Sequence, residues 1–121
     1  MNLEKITCDF CNEYYTNMSS LKFDNVVKLF DNDARCLYNN VMFLGIQGIL
    51  FKMVLSGLKH LSYTNLIYNY MLIDNNTFII QTNGCINIDN GKKTTSNKFN
   101  ETFIINNING KIIVSGYFCN Y

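Results

Sequence analysis

The sequence has a single histidine, His60, no proline, and no apolar run long enough for a bilayer. The last absence excludes a transmembrane helix, which needs roughly 18 or more consecutive apolar residues. The opening segment carries Glu4, Asp9 and Glu13 without a basic start and a following apolar run, which argues against a secretory signal peptide. Charge of one sign is lacking too. Ten Lys+Arg stand against nine Asp+Glu, a formal net charge of +1. A nucleic-acid binder shows a concentrated basic field. The nearest feature, Lys92, Lys93 and Lys98, reads as a solvated loop. Neither direct nucleic-acid binding nor a membrane partner is expected.

Metal and redox sites lack their usual residues. The five cysteines, Cys8, Cys11, Cys36, Cys85 and Cys119, are odd in number and irregular in spacing. Cys8 and Cys11 form a C-x-x-C, but a zinc site takes about four ligands and no second pair exists. A redox pair normally opens a helix that follows a strand, and this one falls inside a helical pattern. The ordinary reading is small buried hydrophobes in a reducing compartment. No metal and no cofactor are expected.

Catalytic signatures are missing as well: no G-x-G-x-x-G, Walker loop, G-x-S-x-G or H-E-x-x-H is present. His60 falls between a helix and a strand, where the chain should reach the surface. Almost no carboxylate occurs inside the strand patterns. Glu101 is the exception: it alternates onto the Phe99/Phe103 side and either sits near an edge or pairs with Arg35. A cavity gathering Glu101, His60 or a tyrosine hydroxyl would argue for acid–base chemistry. Without one, the chain is expected not to be an enzyme.

What is present suits one domain over residues 1–121, with 48% hydrophobic residues, ample for a two-layer core. The excess of Asn and Ile without proline is compositional bias rather than a function. Leu3, Ile6, Phe10, Tyr14 and Met18 recur at helical steps, and Asn17 to Ser20 suits a turn. Phe23, Val26, Val27 and Phe30 predict a short second helix, ended by Asp31-Asn32-Asp33. Cys36 to Asn39 and Val41 to Leu44 predict two short strands about an Asn39-Asn40 turn. Gly45 opens a third helix carrying Ile46, Ile49, Leu50, Met53, Val54 and Leu58, with Gly57 as its C-cap. Strands follow at Tyr63–Ile73, Thr77–Ile88, Lys98–Asn106 and Lys111–Phe118, the last pair joined by Asn109-Gly110, a strong hairpin signal. Helices followed by an antiparallel meander describe an α+β domain with helices on one sheet face.

Alternation sorts the two faces. Phe78, Ile80, Thr82, Gly84, Ile86 and Ile88 share one side with Phe99, Phe103 and Ile105 and meet the helices. The opposite side, with Ile67, Met71, Ile79, Gln81, Asn83, Cys85, Asn100, Thr102 and Ile104, mixes apolar anchors with neutral hydrogen-bond formers and suits a protein partner.

The order of elements resembles the nuclear transport factor 2-like superfamily, a cone of three N-terminal helices on a curved, mainly antiparallel sheet. Phe10 through Met18 looks like its first helix, with a Phe followed by a Tyr-Tyr pair. Phe30, Tyr38 and Gly45 keep the spacing of a Tyr, a Trp and the Gly that starts the third helix. Gly84–Asp89, Phe99–Ile105 and Val114–Phe118 resemble the last strands. Tyr14 to Met18, and the runs from Gly84 and Phe99, look most like the small subunit of the mRNA export receptor. That resemblance implies a non-catalytic nucleocytoplasmic transport adaptor. It would pair through its sheet with a large export-receptor subunit, help bind Phe-Gly nucleoporin repeats, and work in the nucleus, nuclear envelope and cytoplasm. Leu3 and Tyr117 are the implied repeat contacts. The Ran importer branch implies instead a homodimer that carries Ran-GDP, with acidic residues at the positions of Asn39, Asp89 and Gly91; only Asp89 keeps its charge. A small-molecule dehydratase or isomerase is the remaining alternative the fold implies.

Overall fold

The computed structural model describes residues 2–121. The chain runs α1 (Leu3–Ser19), α2 (Phe23–Val27), β1 (Phe30–Tyr38), β2 (Val41–Leu44), α3 (Gln47–Leu55), β3 (His60–Leu72), β4 (Thr77–Asp89), β5 (Thr94–Ile108) and β6 (Lys111–Asn120). The six strands form one sheet in the order β2-β1-β6-β5-β4-β3. All pairings are antiparallel except β1 with β6, so the last strand of the chain lies inside the sheet.

Local chemistry explains most boundaries. Asn2 caps α1 by accepting from the Lys5 amide at 3.1 Å. The buried stripe Thr7, Phe10, Cys11, Tyr14, Tyr15 and Met18 faces the sheet, and the helix runs on through Asn17 to Ser19, where a turn was expected. Leu21 ends it in the left-handed region at φ 57°. Asn39 and Asn40, both at positive φ, make a two-residue hairpin of the primed type between β1 and β2, and Asn109-Gly110 repeats the device between β5 and β6. Gly45 is also left-handed, at φ 81°, and a Cβ there would lie 2.9 Å from the Asn32 carbonyl oxygen. The third helix begins two residues later, at Gln47, and Gly57 follows its C-cap.

Two expectations about the strands are corrected. Asp31-Asn32-Asp33 does not stop α2; it lies within β1. The Asp33 amide bonds to Asp31 Oδ1 at 3.0 Å, and the pairing with β6 is irregular between Phe30 and Arg35, so the polar triplet is accommodated as a distortion of the strand. The strands also run longer than the apolar pattern. β5 starts at Thr94, because Thr94 to Lys98 pair with β4 beyond the region the helices cover.

The core lies between α1 and the inner sheet face. Phe78, Ile80, Phe103, Ile105 and Val114 are fully enclosed. Each such side chain contributes about 1.5–3 kcal/mol by leaving water. Phe10 and Tyr14 both meet the Phe103 ring edge-on, at 5.0 and 4.9 Å.

Candidate functional site

The strand register places all nine predicted interface residues on one surface. Ile67, Asn83 and Asn100 lie side by side across β3, β4 and β5. The next row is Asn69, Gln81, Thr102 and Phe118, and beyond it Met71, Ile79 and Ile104 lead to Gly116. Cys85 stands between Thr64 and Lys98. The helices lie on the opposite face, and Gln81 Nε2 donates to Asn100 Oδ1 at 3.4 Å across this one. The parallel pairing extends it to the far edge, from Phe118 to Leu37 and Met42, and from Gly116 to Arg35 and Leu44. The sequence reading missed this half. Its signal was present in Phe118 and Leu37, but linking β6 to β1 needs a parallel contact between distant segments. Phe118, Ile67, Met42 and Leu44 are exposed by 46, 64, 64 and 71%. In these rows the only charged side chains are Arg35 and Lys98. A broad apolar surface with neutral polar groups and little charge has the composition of a protein interface core.

The inner face carries a different cluster. Glu101 is 3% exposed and points among the tyrosines. Tyr15 donates to Oε1 at 2.7 Å, Tyr14 donates to Oε2 at 3.1 Å, and Tyr117 also donates to Oε2. With the Tyr15 hydrogen committed to Glu101, the Thr82 hydroxyl donates to the Tyr15 oxygen. Burial pushes the Glu101 carboxyl above the usual carboxylate range, while the hydroxyls of Tyr117, Tyr15 and Tyr14 pull the other way. Burial and the neighbouring Glu101 raise all three tyrosines well above their ordinary value. The expectation that Glu101 sits at an edge or pairs with Arg35 is therefore corrected. Arg35 is exposed on the other side of the sheet, and Glu101 is satisfied from within. A cleft of about 470 Å³ between α1 and β3 reaches Tyr15 and Thr82, with Cys11, Tyr63, Leu66 and Tyr68 in its walls.

The remaining predicted residues separate. Tyr117 is buried against Glu101 and offers no surface to a repeat; the irregular pairing between Ile104 and Ile105 displaces the alternation there. Leu3 is half-buried at the start of α1, on the same stripe as Ile6 and Phe10. Those two line a groove of about 200 Å³ with Leu29 and Ile112, flanked by Asp9 and Glu13. Asn39 borders a cavity of about 270 Å³ with Ile49, Met53, Leu58 and Ile88. Its Oδ1 accepts from the Tyr121 amide at 2.9 Å. Asp89 follows Ile88, and its Oδ1 accepts from the Gly91 amide at 2.8 Å, so its carboxylate shapes a turn. His60 is exposed opposite Asp89, away from the Glu101 cluster. Cys8 and Cys11 sit a turn apart within α1, and burial pushes the Cys11 thiol up to about 12, away from reactive thiolate.

Residues 6–120 match the family model of the nuclear transport factor 2 (NTF2) domain. The chain belongs to this family. Among solved structures, the NTF2 domain is similar to nuclear transport factor 2 of Cryptosporidium parvum, with 18% identity and a TM-score of 0.79 over 97% of this chain and 92% of that one. It is similar to the association domain of C. elegans CaMKII, at 12% identity and TM-score 0.73 over 98% and 95% of the two chains. It is also similar to a candidate aromatic ring hydroxylase from Novosphingobium aromaticivorans, at 13% identity and TM-score 0.79 over 93% and 84%. No curated protein sequence matches the chain. The NTF2 fold is thus common to transport and assembly proteins and to candidate enzymes, and the fold alone assigns no chemistry.

Proposed function

We propose that this NTF2 domain is a non-catalytic adaptor of nucleocytoplasmic transport, the small subunit of an mRNA export receptor. It pairs through its outer sheet face with a similar domain of a large subunit and helps bind Phe-Gly nucleoporin repeats, moving between nucleus, nuclear envelope and cytoplasm. The observation that carries this reading is the open outer face, apolar from Ile67 and Met71 across to Met42 and Leu44. A standard interface buries roughly 800 Å² per partner, with a few anchors carrying most of the affinity. Phe118, exposed on β6 in the interior of the sheet, is the strongest anchor candidate. A neutral or acidic partner face would accept Arg35 and Lys98. Leu3 and the groove of Ile6, Phe10, Leu29 and Ile112 form an apolar place for a repeat Phe ring.

The test is affinity capture of the tagged chain from its own cells. Recovery of a large chain with a similar domain, lost in Phe118→Glu, is the expected result. A tight homodimer that binds GDP-loaded Ran would replace this reading with the import carrier, which is disfavoured by the missing carboxylates at Asn39 and Gly91.

A second reading, a small-molecule dehydratase or isomerase, draws on Glu101 and Tyr15 beside the cleft. Against it, both carboxyl oxygens already hold tyrosine hydroxyls. Chemical-shift changes at Thr82 and Tyr63 on titration with a small phenol would favour that reading.

A further inference from the structure

The two edges of the sheet are built differently. β2 is four residues long and offers little to a passing strand. β3 is thirteen residues long, and from His60 to Ile73 it contains no Lys, Arg, Asp, Glu or proline. Short length, charge, proline and bulges keep an edge from pairing with another chain, and of these β3 has only the irregularity between Thr64 and Ile67, outside its longest run. After the irregularity between Thr64 and Ile67, its pairing with β4 is unbroken from Ile67 to Leu72. Along this stretch the outer face is open, and the inner face is covered only in part, where Leu66 and Tyr68 wall the cleft beside α1. The apolar and aromatic side chains from Leu66 to Leu72 are between 38% and 64% exposed. The outward row of backbone N–H and C=O groups on β3, with no strand beyond it, is a template for another extended strand.

The sequence itself indicates which strand. Residues 66–72 read alike in both directions about Asn69: Tyr68 and Tyr70 flank it, then Ile67 and Met71, then Leu66 and Leu72. A two-fold contact brings each residue onto its counterpart and the counterpart onto it, so a segment that reads alike both ways is complementary to itself. We infer that β3 pairs antiparallel with β3 of a second copy, about a two-fold axis through Asn69.

In that register the outward residues Ile67 and Met71 meet each other. The inward tyrosines Tyr68 and Tyr70 pair twice, and Asn69 meets Asn69. A slip of one residue would set outward against inward side chains, so the pleat excludes it. The absence of charge lets the segment meet itself without repulsion and gives a foreign strand nothing to be selected by. Two six-stranded sheets become one continuous sheet, and Phe118 on the outer face stays free for the partner proposed above. A single strand pair buries less than the roughly 800 Å² per side of a standard interface, so the association is weak and depends on concentration.

Sedimentation velocity from micromolar to millimolar protein, with amide hydrogen exchange at both ends of that range, tests this. The expected result is a monomer–dimer equilibrium, with added protection confined to residues 66–72 at high concentration. Tyr68→Lys/Tyr70→Lys sets like charges directly opposite one another and should weaken the dimer by about tenfold or more. Asn69→Lys, a single exposed change that sets a charge against itself on the axis, should do the same. Phe118→Glu should leave it unchanged, and circular dichroism should show all variants folded. A chain that stays monomeric at millimolar concentration overturns the inference. So does a dimer that survives both edge variants, or one lost only in Phe118→Glu, which would place the contact on the outer face.

Discussion

Glu101 and Thr102 are adjacent in β5 and meet opposite environments. Glu101 faces inward and is held by three tyrosine hydroxyls, two from α1 and one from β6. Thr102 faces outward in a row with Gln81 and Phe118 that no helix covers. The inner face is closed, and its Glu101, Thr82 and tyrosine oxygens are bonded to one another, which ties α1 to the sheet. The outer face is largely apolar with little charge, and its polar groups, such as Gln81 and Asn100, bond to one another at the surface rather than to any helix. The difference separates roles: residues on one face hold the fold together, and those on the other are free to be spent on recognition.

The comparison is sharpest under mutation. Glu101→Ala would leave three buried hydroxyls without an acceptor and open a void, and is expected to cost about 3–5 kcal/mol; a denaturant titration measures it. Tyr117→Phe removes one donor from the same carboxyl and should cost about 1–3 kcal/mol by the same measurement. A loss near zero there would mean that the cluster does not hold α1 down.

The pH dependence gives an independent handle. Glu101 has a folded pKa above its unfolded value, so between these values the native state holds more protons than the unfolded one. Stability is then full below the unfolded carboxylate pKa of about 4.3 and falls as pH rises through the window up to the folded value. Melting midpoints taken upward from pH 4 should decline for this reason in the native chain and flatten in Glu101→Gln. The smallest stability effect belongs to the outer face. Phe118→Glu and Asn100→Ala should each change stability by no more than about 0.5 kcal/mol. If Phe118→Glu instead unfolds the chain, the outer face is part of its own core and the division between faces fails.

How much was legible in the sequence follows from the range of each signal. The faces of β4 were readable because the buried Phe78, Ile80 and Thr82 alternate with Ile79, Gln81 and Asn83, and the Asn109-Gly110 turn because its chemistry is local. The start of β1 was hidden, since Asp31, Asn32 and Asp33 look like a stop and only pairing with β6 makes them strand. Alternation placed Glu101 on the inner face, but its partners Tyr14 and Tyr15 lie more than eighty residues away, and no local pattern joins them. A lone inward carboxylate together with a Tyr-Tyr pair on the sheet-facing stripe of a helix was the available clue. Tyr117 was misjudged because the displacement of β6 against β5 moved it from surface to core.

The placement of β6 bears on how the chain is made. Of the six strands of this sheet it is the last to leave the ribosome, yet it lies between β1 and β5 in the sheet interior. Until it emerges, β1 has only β2 to pair with, and the early helices have no finished surface to settle on. Closure waits for contacts between β1 and β6, which lie far apart along the chain, the kind of distant pairing that makes folding slow. A nascent chain stalled before Lys111 would therefore lack the strand that joins β1 and β2 to the rest of the sheet.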